Sequence, residues 1–188
     1  MAVAEPSKLT ELIQLLDTAV EEAEVSGCCQ AVKRALEEIV ASGEDFIGPE
    51  FLRPAPGKYA RRLLHMDPKG RYSALVMVWD KGQGTPVHDH DNMWCVECVY
   101  RGRIKVVSYS FFGEKDGLYD FQPAKVVYAG CGEAGALIPP YDHHTIENSE
   151  ESPAVTLHIY GGEMKHCHVF LPAEGGYRRE GRDLVYTE

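Results

Sequence analysis

Residues Gly82 to Gly102 read GQGTPVHDHDNMWCVECVYRG, with a His-Asp-His near the centre of the stretch. In an extended strand, alternate side chains project from the same face. His88 and His90 would then aim two imidazoles at one point while the aspartate between them faces away. Two neutral nitrogen donors on one rigid strand suit a borderline divalent metal such as Fe, Zn or Ni. The glycines at either end predict two strands joined by a tight connection.

A third ligand must come from another part of the chain. The stretch PPYDHHTIEN, residues 139–148, contains two adjacent histidines, His143 and His144. Only one of two neighbours on a strand can point inward. His144 is the better candidate, and the two His-bearing stretches together favour a metal site over ordinary polar strand residues.

Composition limits the class of protein. The 188 residues are expected to form one domain, with N-terminal helices over 1–48 and a β-barrel over 51–188. Nineteen basic against 29 acidic residues give a net charge of −10, which disfavours nucleic acid or an anionic membrane surface as a partner. The start, MAVAEPSKLTE, lacks a signal pattern, so the six cysteines are interpreted as reduced thiols in a cytoplasm. We expect a monomer and leave an oligomer open.

Two helices and a series of short strands are predicted. Ser7 is expected to cap a helix running to about Glu22, and a second helix is expected over 28–41. From about residue 51 the chain changes to short apolar runs separated by Gly, Pro and Asp, which indicates an antiparallel sandwich or barrel. The expected strands cover 59–65, 72–79, 92–100, 104–112, 124–128, 135–139, 145–148, 154–160 and 166–170.

At this point the residues resemble a known family. Gly82, His88-x-His90, Cys95 and Gly102 have the spacing of the first cupin motif, with Cys95 in place of the usual metal-binding Glu. The later stretch resembles the second cupin motif at Pro139, His144 and Asn148. Cysteine in the Glu position, together with Thr156-x-His158-x-Tyr160, is similar to the thiol dioxygenases, specifically cysteine dioxygenase. The resemblance covers about residues 59–170 and implies a single cupin, a small jelly-roll β-barrel, with the helices packed outside.

The resemblance also implies chemistry. It implies a mononuclear Fe(II) enzyme in which His88, His90 and His144 hold the iron and both atoms of O₂ are added to a thiol, giving a sulfinate. Three neutral histidines leave the iron its full dipositive charge, which favours an anionic thiolate. Arg61 matches the residue that anchors the substrate carboxylate, since a guanidinium binds a carboxylate bidentately. Its position in the Tyr59-x-Arg61 match selects it over its neighbour Arg62. An arginine at this position favours L-cysteine as the substrate.

Further residues are assigned around the metal. Tyr59 is expected to help close the substrate pocket, and Cys167, with His168, to line its entrance. Thr156, His158 and Tyr160 alternate along one strand, so their polar groups face one side. The family implies that this relay orients Tyr160 near the reacting atoms. Cys95 stands where the family can form a thioether bond to this tyrosine.

Several alternatives stay open. Glu97 shares a strand face with Cys95 and is the rival metal ligand, but its offset from His90 is two residues too long, so a solvated or ion-paired glutamate is preferred. The substrate could instead be 3-mercaptopropionate or another small thiol. A non-catalytic metal-binding cupin is a different class, and Glu97 or Cys95 occupying the open metal position would favour it. A Zn- or Mn-dependent isomerase is a third possibility.

Overall fold

The computed structural model describes residues 7–188. The first six residues of the expected 1–48 segment, which begin the stretch MAVAEPSKLTE, lie outside the described residues. Two helices precede eleven strands. They are α1 (Lys8–Ala19), α2 (Val25–Ala41), β1 (Ala60–Met66), β2 (Ser73–Trp79), β3 (Val87–His88), β4 (Cys95–Arg101), β5 (Arg103–Lys115), β6 (Leu118–Gly130), β7 (Ala134–Leu137), β8 (His144–Glu147), β9 (Ala154–Tyr160), β10 (His166–Ala173) and β11 (Gly176–Asp183).

The strands form two antiparallel sheets, which confirms a mainly β fold. One sheet has the order β1-β2-β9-β4-β7. The other has the order β10-β11-β6-β5-β8-β3, and its ends meet because β3 pairs with β10. Alternation along β9 separates two apolar clusters: Ala154 and Tyr160 face one, whereas Leu157 faces the other. The side chains of one sheet face therefore point into the barrel and those of the other face point away from it.

The two helices cover the outer face of the five-stranded sheet. Ser7 caps α1 by accepting a hydrogen bond from the Thr10 N–H, as predicted, although α1 ends at Ala19 rather than near Glu22. Leu12 and Leu36 are buried in the cluster that includes the outward residues of β2, β4 and β9. Across residues 7–188, no helix has the length and apolar character needed to span a membrane.

The strand predictions were wrong in three places. The His-Asp-His stretch is not one strand, because β3 covers only Val87–His88 and a turn follows it, with Asp91 and Asn92 at positive φ. Strand β6 covers 13 residues where five were expected, since β5 and β6 form one long hairpin. Strand β11 was missed because its sequence, GYRREGRD, has no apolar alternation; its pairing with β10 stabilises it instead.

Candidate metal centre

Three histidines converge in the barrel. His88 on β3 pairs directly with His144 on β8, so their side chains are cross-strand neighbours. His90 lies two residues beyond His88 in the turn, and its ring centroid is 5.1 Å from each of the other two. The ligand atoms of the three residues lie within 4.8 Å of one another. The three side chains can therefore hold one metal ion.

The Nδ1 atom of each imidazole already has an oxygen partner. His88 Nδ1 is 3.1 Å from the Pro86 carbonyl, and His144 Nδ1 is 3.0 Å from the Asp142 carbonyl. A carbonyl only accepts, so both Nδ1 atoms carry a proton, and each Nε2 atom in the neutral ring presents its lone pair to the cluster. Outer acceptors of this kind fix the tautomer and ring orientation of metal-binding histidines.

Asp142 orients His90 and was missed from the sequence. Its Oδ2 atom accepts from the His90 backbone N–H at 3.0 Å and lies 2.9 Å from His90 Nδ1. Burial would raise the pKa of Asp142, but the hydrogen bond with His90 and the other contacts of the carboxylate together outweigh burial, so the pKa lies below its usual value. Among the described residues, the wholly buried His90 Nε2 atom has no hydrogen-bond partner. A buried nitrogen without a partner is costly, and a bound cation would supply the missing partner.

His143 points away from the cluster. Its ring packs against Phe121, with centroids 4.8 Å apart, and against Phe170 at 5.4 Å. Asp89 also faces away, and its carboxylate accepts from the His168 backbone N–H. His168 is therefore held outside the cluster.

Glu97 is buried in the site, which corrects part of the sequence-based interpretation. Its side chain is 8% exposed, so it is not solvated. Its Oε1 atom lies 3.0 Å from His144 Nε2 and 3.4 Å from His158 Nδ1, so the ion-paired alternative matches the contacts. Burial would raise the pKa of Glu97, but its contacts with the imidazoles of His144 and His158 together outweigh burial and hold the pKa well below its usual range. The motif spacing gave no sign that this carboxylate reaches the histidines.

Strand β9 places the expected relay on the inner face of the sheet. The Trp79 indole N–H donates to Thr156 Oγ1 at 2.8 Å, and this hydroxyl is 2.8 Å from His158 Nε2. Tyr160 Oη lies 3.4 Å from His158 Nδ1. Burial lowers the pKa of His158 to about 4, so this ring is neutral near pH 7.

Cys95 and Tyr160 are directly opposite each other on β4 and β9. Both side chains are buried in the same apolar cluster. Burial raises the pKa of both groups well above their usual values, so thiol and phenol are protonated near pH 7.

A cavity of about 470 Å³ adjoins the histidines. The sequence-predicted residues on its wall are Tyr59, Arg61, His88, His158, Tyr160 and Cys167, and Glu97 lines it as well. His90 and His144 are wholly buried beside His88. The sequence also gave no indication that residues 182–185 and 187 border this cavity.

The two neighbouring arginines have different surroundings. Arg61 is 4% exposed, and its Nη2 atom donates to the Met164 carbonyl at 2.8 Å inside the cavity wall. Its guanidinium also lies over the Tyr186 ring, 5.0 Å from the centroid. Arg62 points to the other side of β1 and donates to the carbonyls of Phe51 and Arg53. Of these two arginines, Arg61 lines the cavity and Arg62 does not.

The chain is similar to known proteins. The family model described as "Cysteine dioxygenase type I" matches residues 1–172. The chain is 25% identical to cysteine dioxygenase type 1 of Homo sapiens over 114 residues, which cover 60% of this chain and 56% of the human protein. It is 26% identical to cysteine dioxygenase type 1 of Bos taurus over 171 residues, which cover 89% of this chain and 81% of the bovine protein.

A solved structure described as a double-stranded beta-helix domain protein from Klebsiella pneumoniae is also similar. It has a TM-score of 0.48 and 18% identity over 64% of this chain and 94% of that one. The family match extends through both His-bearing stretches and the β9 relay. The chain belongs to the cysteine dioxygenase type I family.

Proposed function

We propose that this protein is an Fe(II)-dependent thiol dioxygenase that converts L-cysteine and O₂ to cysteine sulfinate. The observation that carries the proposal is the cluster of His88, His90 and His144, whose ring nitrogens lie within 4.8 Å of one another beside a cavity. Membership of the cysteine dioxygenase type I family supports the same reaction class. Cysteine catabolism in a cytoplasm is the setting that fits, because all six cysteines are free thiols.

The three imidazoles fit an iron ion. They are neutral nitrogen donors with oriented lone pairs, and the unpartnered His90 Nε2 atom gains a partner when a cation binds. Bound Fe(II) would act as a Lewis acid for the thiolate and as the site of O₂ activation. The protein contributes the orientation of the donors and a largely buried site.

Arg61 is proposed to hold the substrate carboxylate. One of its five N–H groups is used by the Met164 carbonyl, which fixes the guanidinium and leaves other donors for a ligand. An arginine remains charged when buried, and its fork matches a carboxylate in geometry. Tyr59 stacks on Trp79 with centroids 4.5 Å apart, so it forms a rigid wall of the same cavity. Cys167 contributes another part of this wall.

Tyr160 is proposed to act on the reacting groups as a hydrogen-bond donor. Its phenol is protonated and faces the cavity, while the neutral His158 and the Thr156 hydroxyl behind it restrict its orientation. The adjacent Cys95 thiol is the proposed partner of a thioether bond to Tyr160, which would remove the remaining freedom of the ring.

A second candidate function is a metal-binding cupin that does not oxidise thiols. The position of Glu97 favours it, because the carboxylate is 3.0 Å from a histidine nitrogen and can occupy a metal position that the substrate needs. The cavity beside His88 favours the dioxygenase, because it leaves room for a small thiol and contains a buried arginine.

Three thiols test the proposal. L-Cysteine carries an amine and a carboxylate, 3-mercaptopropionate lacks the amine, and cysteamine lacks the carboxylate. The proposal predicts sulfinate formation with kcat/KM highest for L-cysteine. A preference for 3-mercaptopropionate would keep the enzyme class and change the substrate. Iron-loaded protein that oxidises none of the three would favour the metal-binding cupin.

An Arg61→Gln variant tests the carboxylate anchor. Loss of a charge-assisted pair costs about 1.5–3 kcal/mol, so kcat/KM for L-cysteine should fall roughly 10- to 150-fold. The value for cysteamine should not change, because cysteamine has no carboxylate to lose. Arg178→Gln, an exposed site with the same change in charge, is the control. Equal losses for all three thiols would contradict a carboxylate-specific role.

A further inference from the structure

Glu97 is a buried carboxylate with an unusual set of neighbours. Within residues 7–188, no lysine or arginine nitrogen lies within 4.0 Å of it, and the basic groups in contact are His144 and His158. Burying an anion without a strong partner is costly. His158 is the weaker partner, because its Nδ1 atom is 3.4 Å from the carboxylate. The close contact is the one with His144.

The contact between Glu97 and His144 requires a cation. His144 Nδ1 faces the carbonyl of Asp142, which can only accept, so the proton of a neutral ring resides there. His144 Nε2 then carries a lone pair, and it is 3.0 Å from a carboxylate oxygen that also carries only lone pairs. Two such atoms repel each other unless a proton or a metal ion lies between them.

The geometry matches a shared metal ion. Ligand atoms about 2.1 Å from a metal and at right angles to one another are about 3.0 Å apart, the distance observed between Glu97 Oε1 and His144 Nε2. Glu97 also belongs to a second set of close donors, with His90 and Cys95, whose ligand atoms lie within 4.8 Å of one another. His90 is common to this set and to the three-histidine cluster. Through His90 and the contact with His144, Glu97 therefore adjoins the three-histidine cluster.

We propose that Glu97 is a fourth metal ligand, so that the ion is held by His88, His90, His144 and one carboxylate. This goes beyond the proposed function, because it rests on the three-histidine metal site but not on the thiol substrate or the reaction. The anionic oxygen would offset one of the two positive charges of the ion. It would also occupy a position that a substrate binding through two atoms could otherwise use. Cys95 occupies the position of the usual metal-binding Glu of the cupin motif. Strand β4 would thus supply a carboxylate two residues after that position.

Cobalt(II) binding, measured without thiol or O₂, tests the proposal. The dissociation constant and visible spectrum are compared for the wild type, Glu97→Gln and a control, Glu147→Gln. Glu147 lies on β8, and its half-exposed carboxylate pairs with Lys105 at 3.7 Å. Loss of a metal-supporting group typically weakens binding about 10–100-fold, so Glu97→Gln should weaken binding at least that much and change the spectrum. Glu147→Gln should do neither.

Wild-type affinity and spectrum in Glu97→Gln would overturn the proposal. If that variant does not fold, a structure of the wild-type protein with Co(II) decides the question. A Glu97 oxygen within about 2.2 Å of the ion supports coordination, whereas a carboxylate that stays outside the coordination sphere contradicts it. These measurements remain valid if the protein oxidises no thiol, so the failure of this proposal and that of the proposed function can be told apart.

Discussion

At the residue scale, each imidazole of the cluster is oriented by an acceptor on its Nδ1 atom. His88 uses the Pro86 carbonyl, His144 the Asp142 carbonyl and His90 the Asp142 carboxylate. Because these acceptors belong to the backbone or to a buried side chain, the three Nε2 atoms are held in place before a metal arrives. Preorganised ligands lose little freedom on binding, which favours affinity.

His144→Ala should weaken metal binding far more than His143→Ala. We expect the dissociation constant for Co(II) to rise on the order of 100-fold or more in His144→Ala, because one of the oriented donors is lost. His143→Ala should bind like the wild type, since its ring packs against Phe121 and Phe170 instead. Chelator competition measures both constants, and circular dichroism checks the fold. Equal losses would show that the choice between the neighbours is wrong.

Some residues of the site could be predicted from the sequence and others could not. The alternation of Thr156, His158 and Tyr160 follows from strand periodicity alone, because β9 is regular. Asp142 was not predictable, since nothing in its local pattern indicates that it reaches His90 across 52 positions. The sequence placed Glu97 on the correct face of its strand. Its contact with His144 could not be predicted, because spacing within a motif does not give the distance to a residue on another strand.

At the element scale, short strands and turns position the donors. Strand β3 has only two residues, and its one pair with β8 is His88 with His144. The pattern argument expected both histidines on one strand, but His90 lies in the turn that follows it. Side-chain periodicity therefore predicted that the two rings would be neighbours, whereas the position of His90 depends on Asp142, which precedes β8.

Asp142→Asn tests the contact between Asp142, which precedes β8, and His90 in the turn after β3. The amide keeps the shape of the side chain but removes the negative charge that His90 Nδ1 faces. Metal affinity should fall about 10–100-fold, as for other partners of metal-binding histidines. Asp89→Asn is the matched control, because its carboxylate contacts His168 outside the cluster. An unchanged dissociation constant in Asp142→Asn would contradict the orienting role.

The turn between β1 and β2 gives a pH-dependent prediction. Asp67 accepts from the Arg71 backbone N–H and from its Nε atom, while Arg71 Nη2 reaches Asp17 on α1 at 2.7 Å. The hydrogen bond from the Arg71 side chain holds the pKa of Asp67 well below its usual range. The unfolded chain therefore takes up a proton at higher pH than the folded protein. The stability from Asp67 is complete above the unfolded pKa of about 3.9 and declines as the pH falls below it.

Asp67→Asn should consequently reduce the free energy of unfolding at pH 7, and its difference from the wild type should narrow below about pH 4. Urea denaturation at pH 7, 4 and 3 measures the difference. Glu151→Gln, which affects an exposed pair with Lys81, should have little effect at any of these values. A difference between Asp67→Asn and the wild type that is the same at all three pH values would contradict the assigned contacts.

At the scale of the whole molecule, two apolar clusters lie on opposite faces of the five-stranded sheet. The outer cluster contains Leu36 and the remaining buried residues of the helices. The inner cluster lies inside the barrel and includes Tyr160. The sequence allowed the helices and the barrel to be predicted separately from their periodicities. It did not indicate that the segment Gly176–Asp183 completes the second sheet and leads into the residues that border the cavity.

Leu36→Ala tests whether the stability of the fold can be reduced without a change in metal affinity. Leu36 is wholly buried between α2 and the sheet, so its truncation should cost about 2–5 kcal/mol of stability. Metal affinity should remain that of the wild type at temperatures where the variant is folded, because the sheet lies between this residue and the histidines. Val25→Ala, at a half-exposed position of the same helix, should cost less than about 0.5 kcal/mol. A parallel loss of metal affinity in Leu36→Ala would show that the two faces are coupled.

The most direct test of the proposed function uses iron-loaded protein, L-cysteine and isotopically labelled dioxygen, ¹⁸O₂. The proposed reaction predicts cysteine sulfinate in which both sulfinate oxygens carry the label, in an amount that depends on the iron content of the protein. A protein that binds iron through its three histidines and yet produces no labelled sulfinate from any of the three thiols would contradict it.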